Sequence, residues 1–501
     1  MAKYKRYDYS QSILIPVFFE EQLMPGTLEF AIHTLVQTRV DMSIFDDNYH
    51  NDETGRRAYD PKILLKVVLL AYSRGLISSR KIERVCRENV TFMALSGNQR
   101  PDHSTIAAFV SSMKVEILPL FRDILLVCEQ EDLLGGTFFA LDGVKLPSNA
   151  SKRWSGTISE IGEKKEKIEF KVKRLLEEQI AADQDSDTEL PDLSSREKQI
   201  KKLQKQADRI DKWLKENNAK IGSNGKEIKS NVTDNDSAKM VTSHGTIQGY
   251  NAQALVDGKH QVIIHGEAFG SGQDYNHLEP MVEGAKGNLE KIGQGDDCFK
   301  GKTFTADSNY HNQSNLKKCQ DEQLDAYIPD IKFRKRDRRF KTQSRYHSAK
   351  AKKFVLKDFQ YNESKDQYIC PNGNFLKLKV KKFIQDHNIY RRYMAEASDC
   401  KKCSLRERCF YRKNAKRRIL DVPIGATKSN LSKAMTKKVD SPKGRKIYPQ
   451  RFAIVEPIFA NIRTQKRMDL FTLRGKIKVD IQWMLYCMVH NIEKIVNYAA
   501  A

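Results

Sequence analysis

Residues 137–151, TFFALDGVKLPSNAS, decide how the chain is read. The run Thr137-Phe138-Phe139-Ala140-Leu141 has the length and composition of a strand buried on both faces. Periodicity alone does not separate such a run from buried helix, but the Gly135-Gly136 punctuation before it favours the strand. It ends on Asp142, followed by Gly143. A carboxylate at the end of a buried strand sits where a sheet meets solvent, which is where open-sheet folds place reactive groups. Asp-Gly is equally an ordinary turn dipeptide, so the rest of the chain has to decide between the two readings.

With 501 residues, 40% hydrophobic and 30% charged, the chain is long enough for several domains with real cores. It shows no secretory apolar region and no uninterrupted apolar run of bilayer length, so a soluble cytoplasmic protein without a membrane partner is expected. Lys and Arg number 87 against 64 Asp and Glu, and the excess gathers late in the sequence. A polyanion, nucleic acid first, is the expected partner. Five of the nine cysteines, Cys86, Cys128, Cys298, Cys319 and Cys487, lie singly in core-like segments and read as buried reduced thiols.

Residues 1–135 read as an all-α domain. Asp60-Pro61 caps and opens a helix that Gly75 ends, Ser78-Ser79 starts another, and a third begins near Pro101-Asp102-His103-Ser104. With Arg74, Arg80, Lys81, Arg84 and Arg87 on outer faces, these short helices suit either a helix-turn-helix DNA reader or a plain bundle with solvated charges. Residues 136–330 read as the first part of an α/β core, interrupted at 159–218 by a helical hairpin. Its stripes are Ile168, Val172, Leu175, Leu176, Ile180 and Ile200, Leu203, Ala207, Ile210, Leu214, with the acidic link DQDSDTELPDLSS between them. Strands follow at 249–256 and 261–268, joined through Asp257-Gly258-Lys259. Lys302–Ala306 then repeats the opening pattern, a short apolar strand ending on Asp307. The element order calls for a mixed sheet flanked by helices.

Residues 331–440 read as a basic, cysteine-containing insertion. Lys332–Lys353 carries eleven Lys or Arg, among them Lys332, Arg334, Arg336 and Arg339, interleaved with Phe333, Phe340, Tyr346 and His347. That mixture favours a strand that grips a phosphate backbone over a merely solvated run. Cys400-x-x-Cys403 has metal-ligand spacing, and Cys370 and Cys409 could complete a thiolate set; structural zinc is the first reading, with an iron–sulfur cluster or free thiols as alternatives. Residues 441–501 return to the core. A helix from Pro449 carries Glu456 among apolar residues, where a buried carboxylate needs a partner or a metal. Asp142, Asp307 and Glu456 thus have matching settings, and three hard oxygen ligands of this kind suit Mg²⁺ or Mn²⁺ in a two-metal phosphoryl transfer. Asp274 is a fourth carboxylate but reads as a helix cap near Asn276.

The blocks ALDGVKLPSNAS, GYNAQALVD, TADSNYHN and VEPIFANIR, with GRRAYDPKILLKVVLLAYSRGLISSRKIERVCREN and RPDHSTIAAF before them and FTLRGKIKVDIQWMLYCMVHNIEKI at the end, resemble a bacterial insertion-sequence transposase of the DDE type. The resemblance implies a ribonuclease H-like catalytic domain with Asp142, Asp307 and Glu456 as its metal ligands. It also implies cleavage of the element's terminal inverted repeats in double-stranded DNA, joining of the freed 3′-hydroxyl ends to target DNA, and a synaptic homodimer working on the bacterial nucleoid. Tyr448, Arg451, Glu456 and Arg463 resemble a Tyr, Arg, Glu, Lys signature whose Tyr and Arg contact phosphate. Two departures stand out: Arg451 is five residues before the glutamate instead of four, and Arg463 replaces lysine. Two competing readings are an inactive or regulatory DNA-binding derivative and a stand-alone metal-dependent nuclease.

Overall fold

The structure is a computed structural model that describes residues 17–49, 57–184, 193–222, 225–242, 245–342, 353–385, 388–412, 414–424 and 431–499. Tyr346, His347 and most of the acidic link in the hairpin lie outside these residues. The chain divides into two compact units, 1–328 with 445–501, and 329–444. Among the described residues no single helix is long and apolar enough to cross a membrane.

The first unit is built on a mixed six-stranded sheet. Its strands are β1 (Phe138–Pro147), β2 (Ala238–Thr242), β3 (Gly245–Asp257), β4 (Ile263–Phe269), β5 (Thr303–Ala306) and β6 (Asp325–Tyr327). The order is β6-β5-β1-β3-β2, with β4 also on β3. β6, β5 and β1 run parallel, and β1, β3 and β4 are successively antiparallel. Phe139, Ala140 and Leu141 are buried, as a central strand requires. The turn into β1 is held by Asp257, whose carboxylate accepts from the amides of Gly135 (2.9 Å) and Gly136 (2.8 Å). Asp257 thus closes the sheet end as well as opening the hairpin between β3 and β4, whose loop, 258–262, passes through Gln261 at φ +62°.

Helices cover the sheet because its central strands are apolar on both faces. Along β4 the side-chain sites alternate: Gly266 admits Cys487 of the last helix, and His265 packs where Gly284 leaves room; a Cβ at either glycine would stand 2.7 Å or less from its neighbour. Gly284 belongs to the helix Leu278–Lys291, and Cys487 to Lys476–Tyr498. This last helix is enclosed over most of its length. Asn491 pairs its amide with both backbone groups of Ile263 (2.9 and 2.8 Å), and Trp483 donates to the Gln253 carbonyl (2.9 Å). Its other side meets the N-terminal helices, where Tyr72 and Tyr486 stack at 4.9 Å. Those N-terminal helices, Leu28–Thr38, Pro61–Ser73, Ser79–Glu88, Val90–Leu95, His103–Ser112 and Ile117–Gln130, start where caps are encoded. Asp60 and Asp102 accept from the first-turn amides.

The hairpin consists of Ile158–Gln184 and Leu193–Glu216. Ile161, Ile210, Trp213 and Val232 form its base, and Val172, Leu175 and Ile200 its shaft. Leu176 and Ile180 face outward, contrary to the stripe expected for them. The second unit holds a five-stranded antiparallel sheet, residues 360–362, 367–369, 375–385, 388–395 and 419–423, with Cys370, Cys400 and Cys409 in or against its core.

His490 is fully enclosed, with Nε2 on the Gln261 carbonyl at 2.8 Å, and burial holds its imidazole down at about 3. The unfolded chain takes up this proton near pH 6.5 and the folded one does not, so stability is lost as pH falls from 6.5 toward 3. From about pH 7 to about pH 5 this group removes about 2 kcal/mol. In His490→Leu the fall in thermal midpoint over that interval will be smaller than in the parent, although the variant starts lower.

Candidate active site

The β1–β5 ladder pairs Phe138 with Thr303 and ends at Leu141 opposite Ala306. Asp142 and Asp307 are the next residue on each strand, level in register and directed to the same face. β1 itself does not end at Asp142, as the sequence led us to expect. It continues beside β3 to Pro147, because the antiparallel partner extends further than the parallel one. Asp142 is therefore gripped by backbone on one side and open to the sheet end on the other.

Each aspartate has its own setting. Asp142 Oδ2 accepts from Arg451 Nη1 at 2.5 Å, and Oδ1 from the Gly143 amide at 2.9 Å. Burial raises the Asp142 carboxyl above the usual range, and Arg451 and the Gly143 amide pull it back. Asp307 Oδ1 accepts from the Asn309 amide at 2.6 Å. Burial pushes its carboxyl up to about 6, with the charges of Asp142 and Asp274 adding to the effect. Arg451, buried, lies against the Phe452 ring (4.7 Å), and its Nε has no hydrogen-bond partner among the described residues.

Asp274 is not a helix cap. Its Oδ1 accepts from Asn251 Nδ2 (2.5 Å) and Gln253 Nε2 (3.1 Å), and its Oδ2 from Asn309 Nδ2 (3.0 Å), which also reaches Asp307 Oδ2 at 3.3 Å. Gln253 in turn accepts from the buried Tyr310 hydroxyl. This amide network lies level with Gly143, on the face of β1 opposite Asp142; a Cβ on Gly143 would stand 2.0 Å from Gln253 Nε2. The signal in the sequence is the pair Asn251 and Gln253, polar residues two apart in an apolar run, both fully buried.

Glu456 is exposed, not buried as expected. It lies on the helix Gln450–Ala460 and lines a cleft of about 450 Å³ with Asp142, Gly143, Phe459 and Arg463. The helix runs on as a π-turn, Asn461–Gln465, which carries the exposed Arg463. Pro457 has no amide to donate to Ala453, and the freed carbonyl accepts from Gln261 Nε2 at 2.8 Å. Tyr448 is buried, with its ring 5.9 Å from the Arg451 guanidinium. Of the four signature residues, then, Glu456 and Arg463 line the cleft, while Tyr448 and Arg451 are buried, with Arg451 held on Asp142.

The oxygen donors are of the kind that Mg²⁺ or Mn²⁺ takes, and the raised carboxyls of Asp142 and Asp307 are a cost that a cation would offset. Among the described residues, however, no three His, Cys, Asp or Glu side chains close on a common point. Arg451 supplies the positive charge beside Asp142.

The second unit is described by itself. The described part of the basic run forms no strand; it is a short helix, Phe333–Arg336, and a turn, Arg338–Phe340. Arg336 is engaged by Asp330 and Asp440, and Arg339 by Asp337, whereas Lys332 and Arg334 are exposed and Arg334 stacks on Phe340. Burial raises the Cys400 and Cys409 thiols, and their thiol neighbours, Cys370 and Cys403 among them, raise them further. The Asn374 amide points at Cys370 Sγ (3.3 Å) in a turn closed by Gly373. The four thiols are gathered without being closed into a metal shell.

Arg451→Met leaves the Asp142 carboxylate without its counter-charge and will destabilise the fold by about 3 kcal/mol. Combining it with Asp142→Asn will recover most of that loss in a denaturant titration. Equal, additive losses from the two changes would show that the pair is not coupled.

Comparison with known families bears on this arrangement from both ends of the chain. A family model described as a transposase DDE domain matches residues 369–496, which include Glu456, Arg463 and the four grouped cysteines. A second, described as a transposase domain (DUF772), matches residues 18–112, the N-terminal helices. No curated protein matches the chain. The aspartate strands fall between the two matches, and the sheet joins them to the Glu456 helix in one unit. Together the two family matches indicate an insertion-sequence transposase of the DDE type.

Proposed function

We propose that this transposase cleaves the ends of its own element in duplex DNA and joins the 3′-hydroxyl ends to a target, with Asp142, Asp307 and Glu456 as the catalytic carboxylates. The observation that carries the reading is the register of β1 and β5, which leaves two aspartates level at the end of a parallel ladder, with Glu456 lining the same cleft as Asp142. The strand order β4-β3-β1-β5-β6, antiparallel on one side of β1 and parallel on the other, supports a ribonuclease H-like core. An inactive derivative is the weaker reading, since all three carboxylates are present and share one unit.

In this reading the three carboxylates hold divalent Mg²⁺ or Mn²⁺, which supplies Lewis-acid stabilisation of the attacking and leaving oxygens. The chain's own residues do the rest. Arg451 opposes the rise that burial imposes on the Asp142 carboxyl and orients it. Asn309 fixes the Asp307 carboxylate from its own turn, and Asp274 orients Asn309. Arg463, exposed on the cleft wall, offers a guanidinium to a DNA phosphate, and the exposed Lys332, Arg334 and Arg339 belong to the wider DNA-contacting set, whereas Arg336 is engaged by Asp330 and Asp440, and Arg451, with Tyr448 beside it, acts through Asp142. A homodimer holds two DNA ends together. Cys370, Cys400, Cys403 and Cys409 are the thiolate set of a structural zinc, with the Asn374 amide already directed at one sulfur.

The test is incubation of the purified protein with duplexes carrying the element's terminal repeats, in Mg²⁺ or Mn²⁺ and then with EDTA. Nicking and strand transfer are expected with metal only, and Asp142→Asn, Asp307→Asn and Glu456→Gln should each lower the rate about a hundredfold or more while binding persists. Wild-type rates in folded Asp142→Asn would sink the assignment.

A further inference from the structure

A second concavity lies away from the carboxylates. It is a groove of about 730 Å³ between the second hairpin helix and Trp154, just before the hairpin, lined by Trp154, Lys198, Lys201, Lys202, Lys205 and Arg209, with Gln206. All five cations are exposed. Four of them, Lys198, Lys202, Lys205 and Arg209, recur at steps of four, three and four, which on a helix is a single stripe. The eleven helical steps from Lys198 to Arg209 make that stripe about 16 Å long.

The pairing of charges on this helix separates the stripe from its surroundings. Lys212 pairs with Glu216 (3.8 Å), Lys215 with Asp211 (2.6 Å), Arg196 with Glu178 (3.8 Å) and Lys201 with Glu197 (4.0 Å). Among the described residues, Lys198, Lys202, Lys205 and Arg209 have no acidic partner at all. A solvated helix face gains by interspersing acids at i+4, as the rest of this hairpin does. Four neighbouring like charges without counter-ions repel one another and are offset only by an anion from outside. The groove has a fixed floor: Trp154 closes its end, packed into the hairpin base with Trp213 and Ile210 and covered by the Arg153 guanidinium at 5.9 Å.

We propose that this stripe is a docking surface for the phosphate backbone of duplex DNA, separate from the carboxylate cleft. Sixteen ångströms of B-form axis carry about ten phosphates, enough to give each cation a partner without any base contact. The surface therefore adds affinity and orientation without adding sequence preference. It rests on the chain acting on DNA but not on which carboxylates cut it.

The test measures binding of the full chain to a fluorescent duplex of arbitrary sequence, in EDTA so that cleavage plays no part, over a series of salt concentrations. The variant K198Q/K202Q/K205Q/R209Q is compared with K167Q/K173Q/K212Q/K215Q, which removes four paired cations from the same hairpin. The stripe variant should bind at least about tenfold more weakly at moderate salt, and the slope of log K against log salt should shrink by about 3. The control should stay within about twofold of the parent. Equal losses in both would reduce the effect to net charge, and unchanged binding in both would remove DNA from the groove; either overturns the proposal. Loss of self-association by light scattering with DNA affinity intact would make the face a protein interface, which also overturns it. Failure of strand cleavage in a variant that still binds normally bears on the carboxylates alone.

Discussion

Everything at the candidate site depends on the different lengths of the two ladders that β1 makes. With β5 it forms a parallel ladder that stops at Leu141, and with β3 an antiparallel one that runs on to Pro147. The shorter ladder frees the Asp142 side chain and brings Asp307 level with it; the longer one prevents the Asp142 backbone from moving away. Two like charges are thereby forced together in a partly buried place, and the remaining features answer that constraint. Arg451 neutralises one side, amides from Gly143 and Asn309 stabilise the carboxylates, and Asp274 is satisfied by Asn251, Gln253 and Asn309. The arrangement costs folding energy and is the kind of stored cost found where a substrate or ion completes the balance.

The hairpin shows the opposite economy. Its shaft is an ordinary pair of amphipathic helices many of whose described charges are paired along the surface, and one stripe of four cations departs from that rule. A protein that must hold long DNA needs contact area far from its reacting atoms, because positioning is achieved by many weak phosphate contacts and not by the reacting group itself. An insertion between the first two core strands provides that area without disturbing the sheet register.

Much of this was legible in the sequence. The strand 137–141, the acidic strand end at Asp307, the hairpin and the caps at Asp60 and Asp102 follow from local patterns that tertiary structure left alone. Glu456 was misread although its periodicity was available: Ile454, Val455, Ile458, Phe459 and Ile462 centre on one side of the helix, and residue 456 falls roughly 130° from that centre. Asp274 was misread because its partners are side-chain amides on another strand, and no local spacing reports a contact between residues 251, 253 and 274. The basic run at 332–353 was expected as a strand; in its described part Arg336 and Arg339 are instead tied to Asp330, Asp337 and Asp440, local turn pairings and one contact from about a hundred residues away that a count of basic residues does not register. The strand 375–385 had its signal in the alternation of Leu376, Leu378 and Val380 with lysines.

The hydrogen bond from Gln261 to Ala453 ties the Glu456 helix to the β3–β4 loop at the one carbonyl that Pro457 leaves vacant. Loop and helix are therefore complementary parts of one joint, though nearly two hundred residues separate them in sequence. Exchanging the C-terminal helix between relatives as a cassette would carry the proline without its glutamine and leave a carbonyl with no donor. Chimeras of this fold should be cut so that residues 258–262 travel with residues 450–465, as a matched pair.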